Sequence, residues 1–393
     1  MLGREVVIEA EAARPPPGRE VPIDALVAEA QRVLAICNAC RYCEGYCAVF
    51  PALERRLAFA EHDIHYLANL CHNCGACLYA CQYAPPHAFQ VNFPRVLAQV
   101  RKETYRKYAW PRAFASAFER NGTVVAVVTA LGIALLFALT AWYAGPARFF
   151  AAHADAQGAF YAVLPHGVMA GVFGAVFAFA LLALAIGVAR FWSDGGGRFR
   201  ESAGSGALGA ATRDAGALTY LDGGGDGCTY PRSAPSFARR RFHHLTFYGF
   251  MLCFAATVVA AFYHFALGWR APYPLSSLPV VLGVAGGIGL LTGPAGLAWL
   301  IRRRDPDLAD TSQTGMDAGF LVLLFATSAS GLLLLAFRET PAMGVLLAVH
   351  LGAVMALFLT MPYGKFVHAL YRVAALVRFH IERKQPLPEI AGE

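Results

Sequence analysis

The chain has 393 residues, of which 57% are hydrophobic and only 15% are charged. That composition is too apolar for a soluble protein of this length, and it predicts membrane spans. The formal net charge of +7 does not indicate a partner nucleic acid, because the basic residues flank apolar segments instead of lining one face.

The amino-terminal segment, residues 1–22, is predicted to be a flexible tail. It contains acidic residues, arginines and the run Pro15-Pro16-Pro17, but no apolar core. We therefore expect no cleavable signal peptide. The residues that follow are expected to stay in the cytoplasm.

Eight of the ten cysteines form two copies of the pattern C-x-x-C-x-x-C-x-x-x-C between residues 37 and 81. Three thiolates at that spacing can hold one cubane cluster, and in two-cluster ferredoxins the fourth cysteine of each run ligates the other cluster. The pattern thus predicts two [4Fe–4S] clusters. The predicted ligands are Cys37, Cys40, Cys43 and Cys81 for the first cluster and Cys71, Cys74, Cys77 and Cys47 for the second.

Two other uses of these cysteines are less consistent with the pattern. Zinc takes four ligands in two pairs, which would leave the middle cysteine of each triplet idle. Disulfides would need an oxidising compartment, and the predicted topology argues against one. His62, His65 and His72 lie nearby and could ligate, but eight cysteines suffice, so we expect ordinary surface histidines.

Helical apolar spacing surrounds the cysteines, at residues 23–36 and 52–70. We therefore predict an α-helical two-cluster ferredoxin domain over residues 23–91. Residues 92–122 are basic and aromatic, and we expect a helix in the lipid headgroup layer with its cations toward anionic lipid. The alternative is a solvated helix that joins two domains.

Six apolar segments follow, each long enough to cross a bilayer with about 20 helical residues. They lie near residues 123–144, 161–190, 244–267, 278–301, 316–337 and 342–363. With the amino terminus inside, the outer loops carry one arginine each and the inner segments carry several, as the positive-inside rule requires. The predicted fold is therefore all-α. A cytoplasmic ferredoxin domain precedes a cytochrome b-like six-helix domain, residues 123–380, in a bacterial inner membrane with both termini cytoplasmic.

The inner loop at residues 191–243 is long and glycine-rich. A flexible linker is the default interpretation, although its aromatic and proline residues suggest an ordered turn packed on the cluster domain. Cys228 in this loop and Cys253 within a span have no partner motif. We expect both to be inert small residues.

Histidines mark the third and sixth spans, where imidazoles are rare and usually functional. The two spans run in opposite directions, so residues at matching depths can bind the two axial sides of a haem b. The predicted pairs are His243 with His368 at the inner level and His264 with His350 at the outer level; His244 is the alternative inner ligand.

Helical phase supports two levels. His350 and His368 are eighteen residues apart, which returns them to one helix face and separates them by roughly 27 Å. Histidines near a membrane interface also occur without a metal. The sequence therefore does not decide whether the protein binds one haem or two. His166 is expected to meet water, with ligation or contact with a quinone as alternatives.

The cysteine runs, the loop at residues 223–228 and the six spans with these histidines resemble the tricarballylate-utilisation protein B family, also called CitB-like. The resemblance covers nearly the whole chain from about residue 25. The His350–His368 spacing is also similar to that of the cytochrome b subunit of respiratory nitrate reductase. One departure is that neither Cys47 nor Cys81 is followed by the proline common in bacterial ferredoxins.

The resemblance implies a membrane electron-transfer protein. It would reoxidise a cytosolic FAD-dependent dehydrogenase, acting on tricarballylate, and pass electrons to the membrane quinone pool. The sequence has no G-x-G-x-x-G fingerprint that opens a strand–helix unit and no nucleophile–base constellation, so we expect substrate chemistry on another chain. Alternatives are the membrane subunit of another cluster and haem quinone oxidoreductase, or a redox-sensing tricarboxylate transporter. A transporter should show buried cations and broken helices, and Gly293-Pro294 is the main such break.

Overall fold

The computed structural model describes residues 22–153, 158–197, 206–229 and 234–386. Nearly all regular structure in these residues is helical, which confirms the all-α prediction. The exception is one pair of two-residue antiparallel strands, β1 (Cys228–Thr229) and β2 (Pro235–Ser236).

The cysteine-bearing part contains five helices. They are α1 (Ile23–Cys40), α2 (Val49–Leu53), α3 (Glu61–Leu70), α4 (Ala76–Tyr79) and α5 (Phe93–Tyr108). The helix predicted at residues 23–36 is present and continues to Cys40. The helix predicted at residues 52–70 is split into α2 and α3, and the turn between them places Arg56 against Asp63, with 2.7 Å between Nε and Oδ1.

Helix α5 packs against the other helices of the cysteine domain. It lies against α1 and α3, and Arg101, Lys102, Tyr105 and Tyr108 are all buried. The cations have protein acceptors: Lys102 Nζ, for example, donates to Ser312 Oγ at 3.2 Å. These four side chains are therefore unavailable to lipid, whereas Phe114, later in the segment, exposes 51% of its surface, so the headgroup-layer helix over residues 92–122 stays a prediction.

Six helices in the described residues are long and apolar enough to cross a membrane, which confirms the predicted number of spans. They are α6 (Asn121–Ala144), α9 (His166–Asp194), α11 (Ala238–Leu267), α12 (Leu278–Arg302), α13 (Thr314–Phe337) and α14 (Met343–Thr360). Short helices α7 (Pro146–Phe149) and α8 (Ala159–Val163) connect the first two.

Glycines set which of these helices are neighbours. A Cβ on Gly286 of α12 would lie 2.7 Å from the carbonyl oxygen of Gly249 on α11, and a Cβ on Gly352 of α14 would lie 2.5 Å from Cα of Ile133 on α6. Small residues permit such close backbone contact between membrane helices. Consequently α11 packs along α12, and α14 packs along α6.

The loop between α9 and α11 is ordered where the structure describes it. Helix α10 (Ala207–Ala217) packs on the last helix, α15 (Val367–Glu382). The Thr229 amide donates to the carbonyl oxygen of Cys74 at 3.1 Å. The default expectation of a flexible linker is therefore wrong for residues 206–229, and the ordered turn packed on the cysteine domain is confirmed; residues 198–205 and 230–233 lie outside the described residues.

The sixth span does not continue to His368. Helix α14 ends at Thr360, a 3₁₀ turn covers Met361–Tyr363, and α15 begins at Val367. Pro362 cannot continue the backbone hydrogen bonding of a helix, and Gly364 is extended. The helical-phase argument that placed His350 and His368 on one face is therefore wrong, because two different helices carry them.

The α11–α12 contact yields a stability prediction. Gly286→Ala would force backbone atoms apart, so we expect a loss of about 1–3 kcal/mol and a lower Tm of the purified protein in detergent. Gly174→Ala is the matched control, since a Cβ there meets no atom within 4 Å and alanine is the better helix former. Equal Tm values for the two variants would contradict the close packing.

Candidate metal centres

The structure brings together the four cysteines predicted for the first cluster. Burial raises the pKa of the Cys37 thiol to about 12, and the neighbouring charges of Cys81, Cys43 and Cys40 contribute to that rise. The same four side chains line a cavity of about 250 Å³. Cys81, from the end of the second run, thus lies with the first triplet.

The four cysteines predicted for the second cluster also lie together. Burial raises the pKa of the Cys47 thiol well above its usual value, and the charges of Cys74 and Cys71 raise it further. The pKa of Cys77 is raised by burial and then by Cys74, Cys71 and Cys47. Cys47, from the end of the first run, therefore lies with the second triplet.

These thiols fit iron–sulfur clusters better than a single ion. All ten cysteines lie in the described residues and none forms a disulfide, and in the same residues no three His, Cys, Asp or Glu side chains converge on one metal ion. The raised pKa values of Cys37 in the first set and of Cys47 and Cys77 in the second keep these thiols protonated without a bound cation. The positive charge of bound iron removes their protons and offsets the charge that results.

Cations surround the second set of thiols. Arg101 and Arg372 both donate to the carbonyl oxygen of Cys71, the latter from Nη2 at 2.6 Å. Arg239 Nη1 donates to the carbonyl oxygen of Asn73 at 2.8 Å. Burial raises the pKa of Cys71, and both Arg101 and Arg372 oppose that rise. The structure therefore provides positive charge next to the proposed position of an anionic cluster.

One predicted histidine pair is close in space. The ring centres of His243 and His368 are 6.1 Å apart and the rings are perpendicular. Two imidazoles that bind one metal from opposite sides, at about 2 Å each, have ring centres about 6 Å apart. His368 Nδ1–H donates to the carbonyl oxygen of Lys365, the usual way to orient a ligating imidazole. His244 instead contacts Tyr248.

A cavity of about 200 Å³ adjoins this pair, and it is lined by both imidazoles, by apolar side chains and by several cations. The cations are Arg101, Arg239, Arg304, Lys365 and Arg372. Burial lowers the pKa of His368 well below its usual value, which keeps the ring neutral as a metal ligand must be. Apolar walls with cations suit haem b, a flat apolar ring with two carboxylates.

His72 also lines this cavity, a position that the sequence analysis missed. Only 8% of its surface is exposed, and Nδ1 has no hydrogen-bond partner. His65 is likewise buried, bonded to the Tyr108 hydroxyl at 2.9 Å. The expectation of surface histidines is therefore wrong for these two; the position of His72 directly after Cys71 was the available signal.

The second predicted haem pair is not brought together. His166 and His264 lie at the end of the bundle that is far from the cysteine domain. The opposite ends of their helices contact that domain: α9 ends beside Lys107 of α5, and α11 begins beside Asn73. There His264 stacks on His166, with ring centres 3.4 Å apart. In the described part of the chain, no ring contact or hydrogen bond links His264 to His350.

His350 has partners of its own. Its Nδ1 lies 3.1 Å from the carbonyl oxygen of Thr327 and 3.2 Å from Ser330 Oγ, both on α13. Helix α11 packs along α12, and α14 packs along α6. The structure thus gives His264 and His350 different partners, and equal depth alone does not make them neighbours. The expectation that His166 meets only water is also wrong.

Comparisons with known proteins show the family of the chain. A family model described as Citrate utilization protein B matches residues 119–389, and one described as the Citrate utilization protein B Fer4-like domain matches residues 30–107. The curated Citrate utilization protein B of Escherichia coli is 52% identical over 362 residues, covering 91% of this chain and 93% of that protein. No solved structure matches. The Fer4-like match, which includes both cysteine runs, identifies the iron–sulfur part of the chain.

The crossed thiol sets yield a prediction. Cys47→Ser should damage the cluster built on the second triplet and leave the other intact, because Cys47 lies with Cys71 and Cys74. Paramagnetic resonance of the reduced protein would show which signal is lost. Cys253→Ser, at a cysteine far from both runs in sequence, is the control and should retain both signals. Loss of the first-triplet signal alone would refute the crossing.

Proposed function

The chain belongs to the citrate utilization protein B family, and from this membership and the site we propose that it is a membrane electron-transfer subunit. We propose that it accepts electrons from the reduced FAD of a cytosolic dehydrogenase. Two [4Fe–4S] clusters and haem b would connect that flavin to the membrane quinone pool. Clusters and haem each carry one electron at a time. They can therefore oxidise the two-electron donor, the reduced FAD, in two one-electron steps.

One observation carries this proposal: residues next to the second thiol set line the same cavity as the histidine pair. His72 follows the ligand candidate Cys71 directly and lines the same cavity as His243 and His368. Arg372 also lines that cavity and donates to the Cys71 carbonyl oxygen. His72 and Arg372 would therefore lie between a cluster bound by the second set and a haem bound by the histidine pair.

The residues that line this cavity include cations and apolar side chains. The guanidinium groups of Arg101 and Arg372 would offset the negative charge of a thiolate-bound cluster. Arg239 and Arg304 also line the cavity and could bind the carboxylates of a haem, whereas Lys365 is already paired with Asp317 at 2.6 Å. Phe247 and Phe250 contribute to the apolar part of the lining. We propose a haem b between His243 and His368, because their ring centres are 6.1 Å apart.

The first thiol set suits electron entry because it lies nearer the surface. Next to it, Tyr42 exposes 67% of its surface, and the Gln82 amide approaches Cys40 Sγ at 4.0 Å from an exposed position. The relative's name refers to citrate utilization, and the resemblance implies tricarballylate. We therefore propose that the partner flavoprotein, which would dock here, oxidises a tricarboxylic acid of this kind.

We further propose a bacterial inner membrane with both termini in the cytoplasm. The support is the distribution of arginines, which favours the ends of the helices that adjoin the cysteine domain. The proposed domains remain residues 23–91 for the clusters and 123–380 for the membrane part. Helix α5, within residues 92–122, would form the packed junction between them.

His368→Ala tests the relay. Loss of an axial imidazole should abolish the haem b bands in a reduced-minus-oxidised visible spectrum, while iron and acid-labile sulfide stay at wild-type amounts. Quinone reduction in membranes supplied with the reduced flavoprotein should fall by at least about 100-fold. The clusters should remain reducible by that flavoprotein.

His244→Ala is the matched control for that substitution, since His244 adjoins His243 but does not contact His368. It should keep the haem spectrum and most of the activity. Normal quinone reduction in His368→Ala would refute the proposed relay. A wild-type protein without iron and sulfide would refute the proposed function as a whole.

Orientation has its own test. A reporter that fluoresces only in the cytoplasm should be bright when fused after Glu393 and dark when inserted in the loop between α6 and α9. The expectation follows from the surplus of arginines at the cysteine-domain end of the bundle. The opposite pattern would refute the proposed topology.

A further inference from the structure

Two buried polar groups in the cavity beside the histidine pair lack a hydrogen-bond partner among the described residues. They are His72 Nδ1 and the Tyr105 hydroxyl, and both residues line the cavity. The exposed fraction is 8% for His72 and 0% for Tyr105. Buried polar side chains are almost always hydrogen-bonded, and an unpaired one is costly. Both groups therefore need a partner that the cavity would hold.

Guanidinium groups fix the backbone on both sides of His72. Arg101 and Arg372 donate to the carbonyl oxygen of Cys71, which precedes it. Arg239 donates to the carbonyl oxygen of the residue after His72, at 2.8 Å. In the described residues, the acceptors of Arg101 and Arg372 are backbone carbonyl oxygens, which carry no net charge. The surroundings of His72 are thus positive and favour an anion.

The acids that line the cavity already have partners. Asp317 pairs with Lys365 at 2.6 Å. Asp310 accepts hydrogen bonds from the Gln313 side chain at 2.7 Å and from the Ser312 amide at 3.1 Å. The unpaired groups of the lining therefore suit a ligand that brings acceptor oxygens of its own.

The Tyr105 ring has a fixed position next to these cations. It stacks on Tyr371, with ring centres 5.8 Å apart and 11° between the planes. Tyr105 follows Arg101 by four residues on α5, so both side chains lie on one face of that helix. The hydroxyl is thus held at the cavity beside a guanidinium group.

We propose that His72 Nδ1–H and the Tyr105 hydroxyl donate hydrogen bonds to the carboxylates of the haem bound by His243 and His368. The inference rests on the proposed function, because it requires that haem. A neutral imidazole carries one N–H and a phenol one O–H, so both groups can donate. Hydrogen bonds to an ionised acceptor are roughly twice as strong as neutral ones. Because His72 directly follows Cys71, it would join a ligand of the second cluster to the haem.

Haem titration of the full-length protein, produced without haem and kept in detergent, tests this role. The Soret band reports haem affinity, and iron and acid-labile sulfide are measured in each variant. Tyr105→Phe and His72→Ala should each weaken haem binding roughly ten- to a hundredfold, as expected for one hydrogen bond to a charged group. The dimethyl ester of haem lacks the carboxylate charges. Its affinity should be equal in wild type and both variants.

Two further variants are controls. Tyr371→Phe removes a hydroxyl from the ring that stacks on Tyr105, but in the described part of the chain Tyr371 does not line the cavity. It should keep the wild-type affinity for haem. His72→Asn retains an N–H donor near the position of Nδ1, and it should bind haem far more tightly than His72→Ala.

The remaining outcomes separate the possible failures. Unchanged haem affinity in either Tyr105→Phe or His72→Ala refutes the proposal, as do equal losses of affinity for haem and its dimethyl ester. If the ester does not bind wild type, His72→Asn decides: tight haem binding supports the proposal, and binding as weak as in His72→Ala refutes it. If His72→Ala lacks iron and sulfide, Tyr105→Phe decides in the same way by its haem affinity.

Failure of the proposed function gives a different result. Wild-type protein that does not bind haem would refute the haem of the proposed function. Tight haem binding that depends on His368 but not on His72 and Tyr105 would refute this inference alone.

Discussion

Two arginines that converge on one carbonyl oxygen join the two halves of the molecule. Arg101 comes from α5 and Arg372 from α15, and both donate to the backbone oxygen of Cys71. Arg372 also donates from Nε to Asn69 at 3.1 Å. Burial lowers the pKa of Arg372 to about 10, which leaves it charged at neutral pH. A buried charge without acceptors costs several kcal/mol, so the carbonyl oxygens of the cysteine run stabilise the burial of Arg372.

A second network fixes the other end of α15 to the cysteine domain. Arg56 bridges Glu382 at 2.6 Å and Asp63 at 2.7 Å, and Arg378 also reaches Asp63, at 3.1 Å. The Tyr66 ring lies 4.8 Å from the guanidinium carbon of Arg56 and 4.4 Å from that of Arg378. Such a network is more rigid than separate pairs. With both ends of α15 held, the helix has one position relative to the cysteine sets, and its first turn carries His368.

Features that depend on local spacing could be predicted from the sequence. The cysteine pattern implies the exchange of Cys47 and Cys81 between sets, and about 20 consecutive apolar residues imply a span whatever lies next to it. Features that depend on packing could not. The His264–His350 pair assumed that equal depth means proximity, but glycine contacts decide which helices touch. Likewise, the composition of residues 92–122 does not reveal that a cation such as Arg101 binds a backbone carbonyl and not a lipid phosphate.

The docking of the loop and of α15 on the second cysteine run has a consequence for biogenesis. Thr229 lies 155 residues after Cys74, and Arg372 lies 301 residues after Cys71. At about 5–20 residues per second, a ribosome needs about 15–60 s to pass from Cys71 to Arg372. Until the end of that interval the second run lacks one of its two compensating cations, Arg372, although Arg101 and Thr229 are made earlier. Maturation of the second centre is thus coupled to completed insertion of the membrane half, so a chain truncated before α15 would carry a second thiol set without Arg372.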